Sequence, residues 1–177
     1  DDGYLFFTVD PVEVRVENDS IDLEIRIYEG DQATIGKVSV KGNTKTNDHV
    51  VVREMYTKPG QLFSRSDVIR TTRELAALGY FNAETLNPEI KPDPTDGTVD
   101  IEYVVEETSS DQIELSAGWG YNKLILTLGL TLNNFSVKNM FKKGAWTPLP
   151  GGDGQKLSLR VQTYGRQYIY YGVSFTE

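Results

Sequence analysis

Few residues in this 177-residue chain have the type and spacing of a reaction centre. The chain has no cysteine, which excludes a thiolate nucleophile, a thiolate metal site and a disulfide framework. Its one histidine, His49, falls near the start of a short predicted helix, where an ordinary surface role is expected. There is no nucleophile elbow, P-loop or zincin motif. We therefore predict no enzymatic activity, no cofactor and no metal site.

Two further groups of residues have a composition similar to that of ligand sites. The segment 151–154 (GGDG) has the composition of a phosphate or metal loop, but no helix start or additional ligand follows it. A flexible turn is the expected structure. The acidic pairs Asp1-Asp2 and Glu106-Glu107 lack the spacing of an EF-hand loop, so a solvated face is expected for both.

The chain changes character at residues 112–121. Residues 1–107 carry a net charge of −11 and residues 108–177 a net charge of +3, which indicates two environments. The acidic first part offers no contiguous basic surface, and the second part has no recognition motif, so nucleic acid is not an expected partner. Within 112–121 apolar and small or polar residues alternate with period two, which predicts a strand.

Three more alternating segments follow, at about 124–133, 157–162 and 168–175. Each predicted strand is about 9–10 residues long, the length that spans a bilayer at the tilt of a barrel strand. Five leucines alternate with small and polar residues in the second strand, which favours a lipid-facing and a wet face. A soluble β-sandwich also alternates and stays the alternative. Four strands are too few to close a membrane barrel, which takes about eight.

The connections differ in length. Tight turns are predicted at Asn122-Lys123 and 165–167, whereas the connection 134–154 is long. Apolar residues beside lysines at 137–143 suit a short interfacial helix there. Trp119 and the tyrosines at positions 164, 168, 170 and 171 predict an interfacial aromatic girdle, with a ligand-stacking platform as the alternative.

The preceding segment predicts a β-α-α-β-β unit. A strand at 35–41 precedes a short helix capped by Asn47 and running to about Met55. Ser64 begins a second helix through a capping-box-like pattern, and Gly79 ends it. Two strands follow, at about 84–91 and 99–107. The buried stripe of the second helix is expected to contain Val68, Thr72, Leu75, Ala76 and Leu78.

An internal repeat relates this unit to the start of the chain. Strands at 4–17 and 21–29, joined by a turn at 18–20, form a predicted hairpin. Asp22 and Glu24 align with Asp100 and Glu102 at an offset of 78 residues. The repeat predicts that residues 1–30 end one unit of this type, and that the sequence is an internal piece of a tandem array.

Several motifs together resemble a known family. The segments KGN (41–43), VVREM (51–55), LGYF (78–81) and VDIEYVVEE (99–107) resemble a POTRA domain. GWG (118–120), NNF (133–135) and SFTE (174–177) resemble the opening of the barrel in outer-membrane protein assembly factors. The resemblance implies an α+β POTRA domain (β-α-α-β-β) followed by the first four strands of an incomplete antiparallel transmembrane β-barrel. The implied domains are 1–30, the hairpin of a preceding POTRA domain; 31–108, the membrane-proximal POTRA domain; and 109–177, the barrel strands.

The resemblance also implies a function. It places the barrel in the outer membrane and the POTRA domains in the periplasm, with unfolded outer-membrane proteins, accessory lipoproteins and outer-membrane lipid as partners. Incoming strands would pair with an exposed sheet edge. The edges expected to do so comprise Glu84, Leu86, Glu89 and Ile90 in the POTRA domain, and Ile113, Leu115, Ala117, Gly118, Trp119 and Gly120 in the first barrel strand.

Two roles of individual residues stay open. Gly118 and Gly120 either weaken closure of the barrel or serve its curvature. By resemblance Arg53, Glu54 and Met55 are expected to contact an accessory lipoprotein, with Glu54 at its centre, whereas a solvated helix charge is the plain alternative.

Three other functions compete with assembly. A two-partner secretion transporter joins POTRA domains to an export pore and is the nearest rival. A hydrolase anchored by a barrel, and a soluble binding module built as a sandwich, are more remote, because no residue of this sequence indicates either.

Overall fold

The computed structural model describes residues 3–17, 20–120, 122–142, 144, 146, 149–165 and 168–177. The chain forms two compact units whose segments alternate along the sequence. Unit 1 comprises Asp1–Lys41, Met55–Glu74 and Asn87–Val104, and unit 2 comprises Gly42–Glu54, Leu75–Leu86 and Val105–Glu177. Within the described residues, no helix has the length and apolar character needed to cross a membrane.

The first sheet of unit 1 is a hairpin of β1 (Thr8–Glu17) and β2 (Ser20–Tyr28). Strand β1 begins later than the predicted residue 4, because residues 5 and 6 form a turn. The register shifts between Glu13 and Arg15, as at a β-bulge. Strand β2 is exposed along its whole length. Two residues of the predicted turn, Asn18 and Asp19, lie outside the described residues.

The second sheet of unit 1 has three strands. β3 (Thr34–Lys41) runs parallel to β5 (Thr98–Val104), and β4 (Asn87–Asp93) runs antiparallel to β5, so the order is β3-β5-β4. The predicted β-α-α-β-β order is confirmed once the two helices are included. As the central strand, β5 buries one face completely, through Val99, Ile101 and Tyr103.

The first helix, α1 (Asp48–Val52), lies in unit 2 and is shorter than predicted. Asn47 occupies the N-cap position, but its side chain makes no capping hydrogen bond and binds Asp153 instead. The helix ends with Arg53 as its C-cap, so Met55 is not helical. The predicted capping role of Asn47 is therefore wrong, because a more distant partner takes its side chain.

The second helix, α2 (Arg65–Ala77), begins where the capping pattern predicts. The Ser64 hydroxyl accepts a hydrogen bond from the backbone N–H of Asp67, at 3.3 Å. Gly79 has φ +72° just past the helix, the left-handed conformation that ends many helices at glycine. Both ends of this helix were thus encoded by local capping chemistry.

The buried stripe of α2 differs from the prediction at three of five positions, since Thr72, Ala76 and Leu78 are only half-buried. Val68 and Leu75 are buried as expected, but Thr71 is fully buried and Thr72 is only half-buried. The Thr71 hydroxyl accepts a hydrogen bond from the Tyr56 backbone N–H at 3.0 Å. Thr72 donates instead to a carbonyl of its own helix, that of Val68. The hydrogen bond from the Tyr56 N–H therefore allows the polar hydroxyl of Thr71 to be buried.

Unit 2 contains an antiparallel sheet of β6 (Gln112–Gly120), β7 (Lys123–Phe135), β8 (Gln155–Tyr164) and β9 (Tyr168–Thr176), in that order. The four predicted strands are confirmed, and the sheet is open with β6 and β9 at its edges. Tyr121, expected on the first strand, and positions 166 and 167 of the last turn lie outside the described residues.

The register separates the two faces of this sheet. Leu115, Leu128, Val161 and Tyr171 are directly opposite one another across the four strands and form an apolar row. The next row along β6 consists of Glu114, Gly129, Arg160 and Gly172, on the other face. The alternation in the sequence therefore does produce one apolar and one small or polar face.

The aromatic residues divide between these faces. The register places Trp119 and Tyr171 on the apolar face, but Tyr164, Tyr168 and Tyr170 on the polar face. The Lys123 ammonium lies 5.4 Å from the centre of the Tyr168 ring. A girdle on the apolar face is thus wrong for those three tyrosines, because their strand positions have the opposite parity.

The long connection after β7 includes a single helical turn, α3 (Val137–Met140). The Ser136 hydroxyl caps it by accepting from the Asn139 backbone N–H at 3.1 Å. Phe141 and Trp146, which follow, are largely exposed. The predicted short helix is present, and Lys143 of the predicted basic group lies outside the described residues.

Candidate functional site

The first candidate edge, β4, is shorter than the predicted strand. It begins at Asn87, so Glu84 and Leu86 lie in the preceding loop and not on the edge. The side chain of Asn82 accepts a hydrogen bond from the Glu84 N–H at 3.0 Å, and this turn delays the strand. Glu84 is exposed but precedes the strand, and Leu86 also precedes it and is buried, so neither residue forms part of the sheet edge.

The remaining part of β4 has few backbone N–H donors at its open edge. Glu89 and Ile90 lie on the strand as predicted, between Pro88 and Pro92. A proline in a sheet must direct its nitrogen away from the neighbouring strand, because it has no N–H to donate. Positions 88, 90 and 92 therefore face the open edge, and of these only Ile90 has an N–H. Prolines at a sheet edge discourage pairing with another chain.

The second candidate edge, β6, has no proline among its nine residues. All six residues predicted for it lie on the strand, from Ile113 to Gly120. With β7 on one side only, about half of its N–H and C=O groups point to the open edge. The apolar face is also open, since Ile113, Leu115 and Trp119 are between 73% and 82% exposed. Within the described residues, β6 is therefore an edge strand with an exposed apolar face.

The two glycines of β6 lie in its second half. A Cβ added at Gly118 would meet no atom within 4 Å, whereas one at Gly120 would lie 3.2 Å from Ile125 Cδ1. Neither glycine has a positive φ. Backbone conformation therefore does not require glycine at either position. Gly118 leaves open space beside the strand, whereas the Ile125 side chain lies over Gly120.

The residues predicted to contact a lipoprotein follow α1. Arg53 pairs with Glu54 through Nε and Oε1, at 3.0 Å, and both side chains are partly exposed. Met55 is only 6% exposed. Arg53 and Glu54 are thus accessible to a partner, but burial excludes Met55 from direct contact.

A third site, which the sequence did not indicate, is a hydrogen-bonded network in unit 2. We call it the clasp, and it consists of residues 44–47, Tyr80, Glu107, Asn134, Ser136 and residues 151–154. Its members are distant in sequence and all belong to one unit.

Glu107 holds the loop that leads into α1. Its carboxylate accepts from the backbone N–H groups of Lys45 (2.9 Å) and Thr46 (2.6 Å) and from the Thr44 hydroxyl (2.7 Å). Partial burial raises the pKa of Glu107, but these hydrogen bonds outweigh it and the pKa lies below its ordinary value. The predicted solvated face is therefore wrong for Glu107, whereas Glu106 is exposed as expected.

Asp153 forms the second anionic centre of the clasp. It accepts from the Ser136 hydroxyl at 2.5 Å and from the Asn47 amide at 2.8 Å, and His49 Nε2 lies 3.8 Å away. Its side chain is 8% exposed. Burial raises the pKa of Asp153, but the hydrogen bonds and the nearby cationic groups lower it further, so the net shift is downward.

The glycines of 151–154 allow the loop to approach this network closely. Gly152 has φ +119°, and a Cβ there would lie 2.4 Å from the Lys45 carbonyl oxygen. Its own carbonyl accepts from the Asn47 N–H at 2.9 Å. At Gly151 a Cβ would lie 2.7 Å from the carbonyl oxygen of Asn134. The segment is thus a docked loop, and the predicted flexible turn is wrong.

Two residues of the recognised motifs complete the clasp. The Tyr80 hydroxyl lies 2.9 Å from the Asn133 carbonyl oxygen and 3.2 Å from that of Gly154. The Asn134 amide donates to the Thr46 hydroxyl at 2.8 Å and accepts from the Gly154 N–H at 2.9 Å. Burial raises the pKa of Tyr80, which keeps it a neutral donor. The clasp therefore fixes backbone positions and has no nucleophile–base pair.

The sequence does contain a signal for the clasp. Three glycines in four residues, shortly after Asn133-Asn134, are more than a loop of ordinary composition requires. Their partners lie up to 106 residues away, so local patterns cannot identify them.

Comparison with known proteins gives the class. Residues 33–108 match the POTRA family, described as "Surface antigen variable number repeat". This part of the chain, with its β3-β5-β4 sheet and two helices, is a POTRA domain.

Particular relatives follow from the wider sequence. The chain is 33% identical over 144 residues to a Treponema pallidum protein named "Putative outer membrane protein assembly factor", covering 79% of this chain. It is 28% identical over 138 residues to the outer membrane protein assembly factor BamA of Neisseria meningitidis serogroup B, covering 75%. The resemblance to outer-membrane assembly factors is thus confirmed. The chain spans 17% of the length of each of these relatives.

Solved structures agree on the fold. BamA from Haemophilus ducreyi lacking POTRA domains 1–3 superposes with a TM-score of 0.71 at 24% identity, over 99% of this chain and 30% of that one. CdiB from Acinetobacter baumannii gives a TM-score of 0.50 at 14% identity, over 98% of this chain and 30% of that one. The fold of the whole chain therefore corresponds to a segment of BamA.

Proposed function

We propose that this chain is the membrane-proximal POTRA domain and the first barrel strands of a protein that folds and inserts β-barrel proteins into the outer membrane. The names of its relatives support the class of function. The observation that carries the proposal is β6, a proline-free strand at the edge of the described sheet, whose apolar residues share one face with those of β7, β8 and β9.

In this proposal β6 to β9 are transmembrane strands and the POTRA domain lies in the periplasm. Three of the strands have 9 or 10 residues, the length that crosses a bilayer when tilted. The row Leu115, Leu128, Val161 and Tyr171 faces lipid, where its exposed apolar area is stabilised rather than penalised.

The proposed mechanism is strand addition at β6. An incoming strand of a client protein pairs with the open N–H and C=O groups of β6, and such backbone bonds demand little of the client's sequence. The POTRA edge β4 is the weaker site of the two, because Pro88 and Pro92 remove donors from its open side. Because of this difference we rank β6 above β4 as the site of strand addition, whereas the sequence analysis gave the two edges no order.

Site-specific crosslinking tests the mechanism. We replace Ala117 or Gly118 on β6 by cysteine in the full-length protein, and stall a client that carries cysteines in its terminal strand. Ile90→Cys on β4 is the matched control, since it lies on the other edge. Disulfides at 117 and 118 above those at 90 are expected. Crosslinks confined to position 90 would overturn strand addition at β6.

Accessory lipoproteins are proposed to dock at Arg53 and Glu54. Both side chains are accessible beside the end of α1, and their mutual ion pair leaves carboxylate lone pairs for a cationic partner group. Glu54→Lys is expected to reduce co-purification of the lipoproteins at least tenfold. Asp96→Lys, an equal charge change at an exposed loop residue, is the control. Equal recovery with both variants would contradict the contact.

The rival function is a two-partner secretion transporter. CdiB shares the fold, but its similarity to this chain is lower in both TM-score and identity than that of BamA. Reconstitution discriminates the two: an assembly factor accelerates the folding of several unrelated β-barrel proteins in vesicles, whereas a transporter exports one partner and accelerates none.

A further inference from the structure

An ion pair crosses three strands on the polar face of the β6–β9 sheet. Arg160 of β8 donates from Nη2 to both carboxylate oxygens of Glu114 on β6, at 2.9 and 2.8 Å. The two strands are not neighbours, since β7 lies between them. Their backbones are therefore about 10 Å apart, twice the spacing of paired strands. Two long side chains bridge that distance.

Gly129 makes this bridge possible. In the register, Glu114 pairs with Gly129, and Gly129 pairs with Arg160, so the three residues form one row. A Cβ added at Gly129 would lie 3.2 Å from both Cβ and Oε2 of Glu114. A methyl group at this position would force Glu114 to shift slightly, and a larger side chain would occupy the space between Glu114 and Arg160. Glycine usually destabilises a central strand, but here its missing side chain leaves room for Glu114 and Arg160 to meet.

The ion pair makes the two halves of β6 unequal. The first half, residues 112–116, is joined to β7 by its ladder and to β8 by Glu114. The second half, residues 117–120, contains Gly118, which has open space where a Cβ would lie, and Gly120, which the Ile125 side chain covers. It has its ladder to β7, and no side-chain bond from it to β8 is seen among the described residues. Within the described residues β6 is an edge strand, and local opening of this strand is expected to begin in the half that has no side-chain bond to β8.

We propose that Glu114 and Arg160 form a latch that fixes the first half of β6 to the sheet, while the glycine-containing half opens, so that a client strand adds to β6 from the 117–120 end. This inference rests on the proposed function and specifies its direction. Glu114 and Arg160 act as positioning residues, because they touch neither the open edge of β6 nor a client strand directly.

Hydrogen exchange of the full-length protein in lipid nanodiscs tests the latch. In the unmodified protein the amides of 117–120 are expected to exchange faster than those of 112–116. Glu114→Gln and Arg160→Gln each remove the pair and are expected to raise exchange of 112–116 about two- to fivefold, as suits a half-exposed ion pair. Lys156→Gln is the matched control, because it removes the same charge from the same strand and face. Its exchange pattern is expected to equal that of the unmodified protein.

Two further variants separate charge from packing. The exchanged pair Glu114→Arg with Arg160→Glu is expected to restore slow exchange in 112–116. Gly129→Val changes no charge but places a branched side chain between Glu114 and Arg160, and is expected to behave like Glu114→Gln. Unchanged exchange in Glu114→Gln, or equal exchange of both halves in the unmodified protein, would overturn the latch.

Crosslinking distinguishes failure of the latch from failure of the proposed function. With the latch broken, client crosslinks are expected to spread from positions 117 and 118 to position 113. If crosslinks at β6 have the same distribution in Glu114→Gln as in the unmodified protein, strand addition is supported and the latch is contradicted. If no variant crosslinks at β6, the proposed function itself fails, whatever the exchange data show.

Discussion

The hairpins β1–β2 and β4–β5 have related sequences and opposite environments. At an offset of 78 residues, Ile21, Leu23 and Ile25 of β2 correspond to Val99, Ile101 and Tyr103 of β5. The β2 residues are 58–62% exposed, whereas their β5 counterparts are at most 1% exposed. Both hairpins lie in unit 1, so the contrast is not one between a folded and an unfolded part of the protein.

The contrast shows that alternation specifies a face and leaves its cover unspecified. β5 has a third strand, β3, on its other side, and the Tyr103 hydroxyl meets Thr57 at 3.0 Å. β2 pairs with β1 alone. Within the described residues, the same pattern is therefore buried in β5 and exposed in β2. Each mutation below compares a residue of β5, or of the segment just after it, with its counterpart in the first hairpin.

Truncation of the central core residue is expected to give the largest difference. Ile101→Ala removes buried methyl groups and leaves a cavity, which is expected to cost about 2–5 kcal/mol of unfolding free energy. Leu23→Ala, at the corresponding exposed position, is expected to cost less than about 0.5 kcal/mol. Urea denaturation of the purified protein measures both. Equal losses would show that the β2 face is covered in solution.

The next largest difference concerns the acid after each second strand. Glu107→Gln removes the charge that accepts hydrogen bonds from residues 44–46, and is expected to cost about 1–3 kcal/mol. Its counterpart Glu29 is exposed, and Glu29→Gln is expected to cost almost nothing. Amide exchange of residues 44–47 reports the loss locally. If both variants exchange alike there, Glu107 does not hold the loop.

A smaller effect is expected at the buried tyrosine. Tyr103→Phe leaves the Thr57 hydroxyl without its 3.0 Å partner, which is expected to cost about 1 kcal/mol. Ile25, the counterpart in β2, has no hydroxyl to lose, and Ile25→Val is expected to be close to neutral because it is exposed. Thermal unfolding compares them. A neutral Tyr103→Phe would indicate that another group binds Thr57.

The smallest effect is a pH dependence of the unfolding free energy, which is expected at Glu107 and not at its counterpart Glu29. Because the folded-state pKa of Glu107 is lowered from 4.5, its stabilisation is complete above that value and is lost as the pH falls through the lowered pKa. The stability gap between the unmodified protein and Glu107→Gln is therefore expected at pH 7 and to shrink below about pH 4.5. Unfolding curves at pH 7, 5, 4 and 3 measure it, and a gap unchanged at pH 3 would refute the assignment.

Local patterns predicted much of the fold. Period-two alternation identified β2 and the four strands β6 to β9, and capping chemistry located the start and end of α2. Strand limits were less accurate where a side chain competed with the ladder. The Asn82 amide, which binds the Glu84 N–H, moved the start of β4 to residue 87.

The glycines of 151–154 hint at the clasp, but its hydrogen bonds could not be predicted, because they join residues far apart in sequence. Asn47 has the composition of a helix cap, yet its amide binds Asp153, 106 residues away. Glu107 has the composition of a solvated acid, yet it accepts from residues 62 positions earlier. In both cases a tertiary partner replaced the local one, and no periodicity records such a replacement.

Strand β7 has 13 residues, three or four more than its neighbours, and the excess is at its end in the clasp. Asn134 belongs to both structures, and Phe135 pairs with Gly151. At about 3.4 Å per residue the strand is roughly 44 Å long. Its ladder bonds to β6 and β8 run across its axis, so a pull along the strand loads them all in shear at once. Tension applied at the clasp would therefore be transmitted along the length of β7, the strand that pairs with β6.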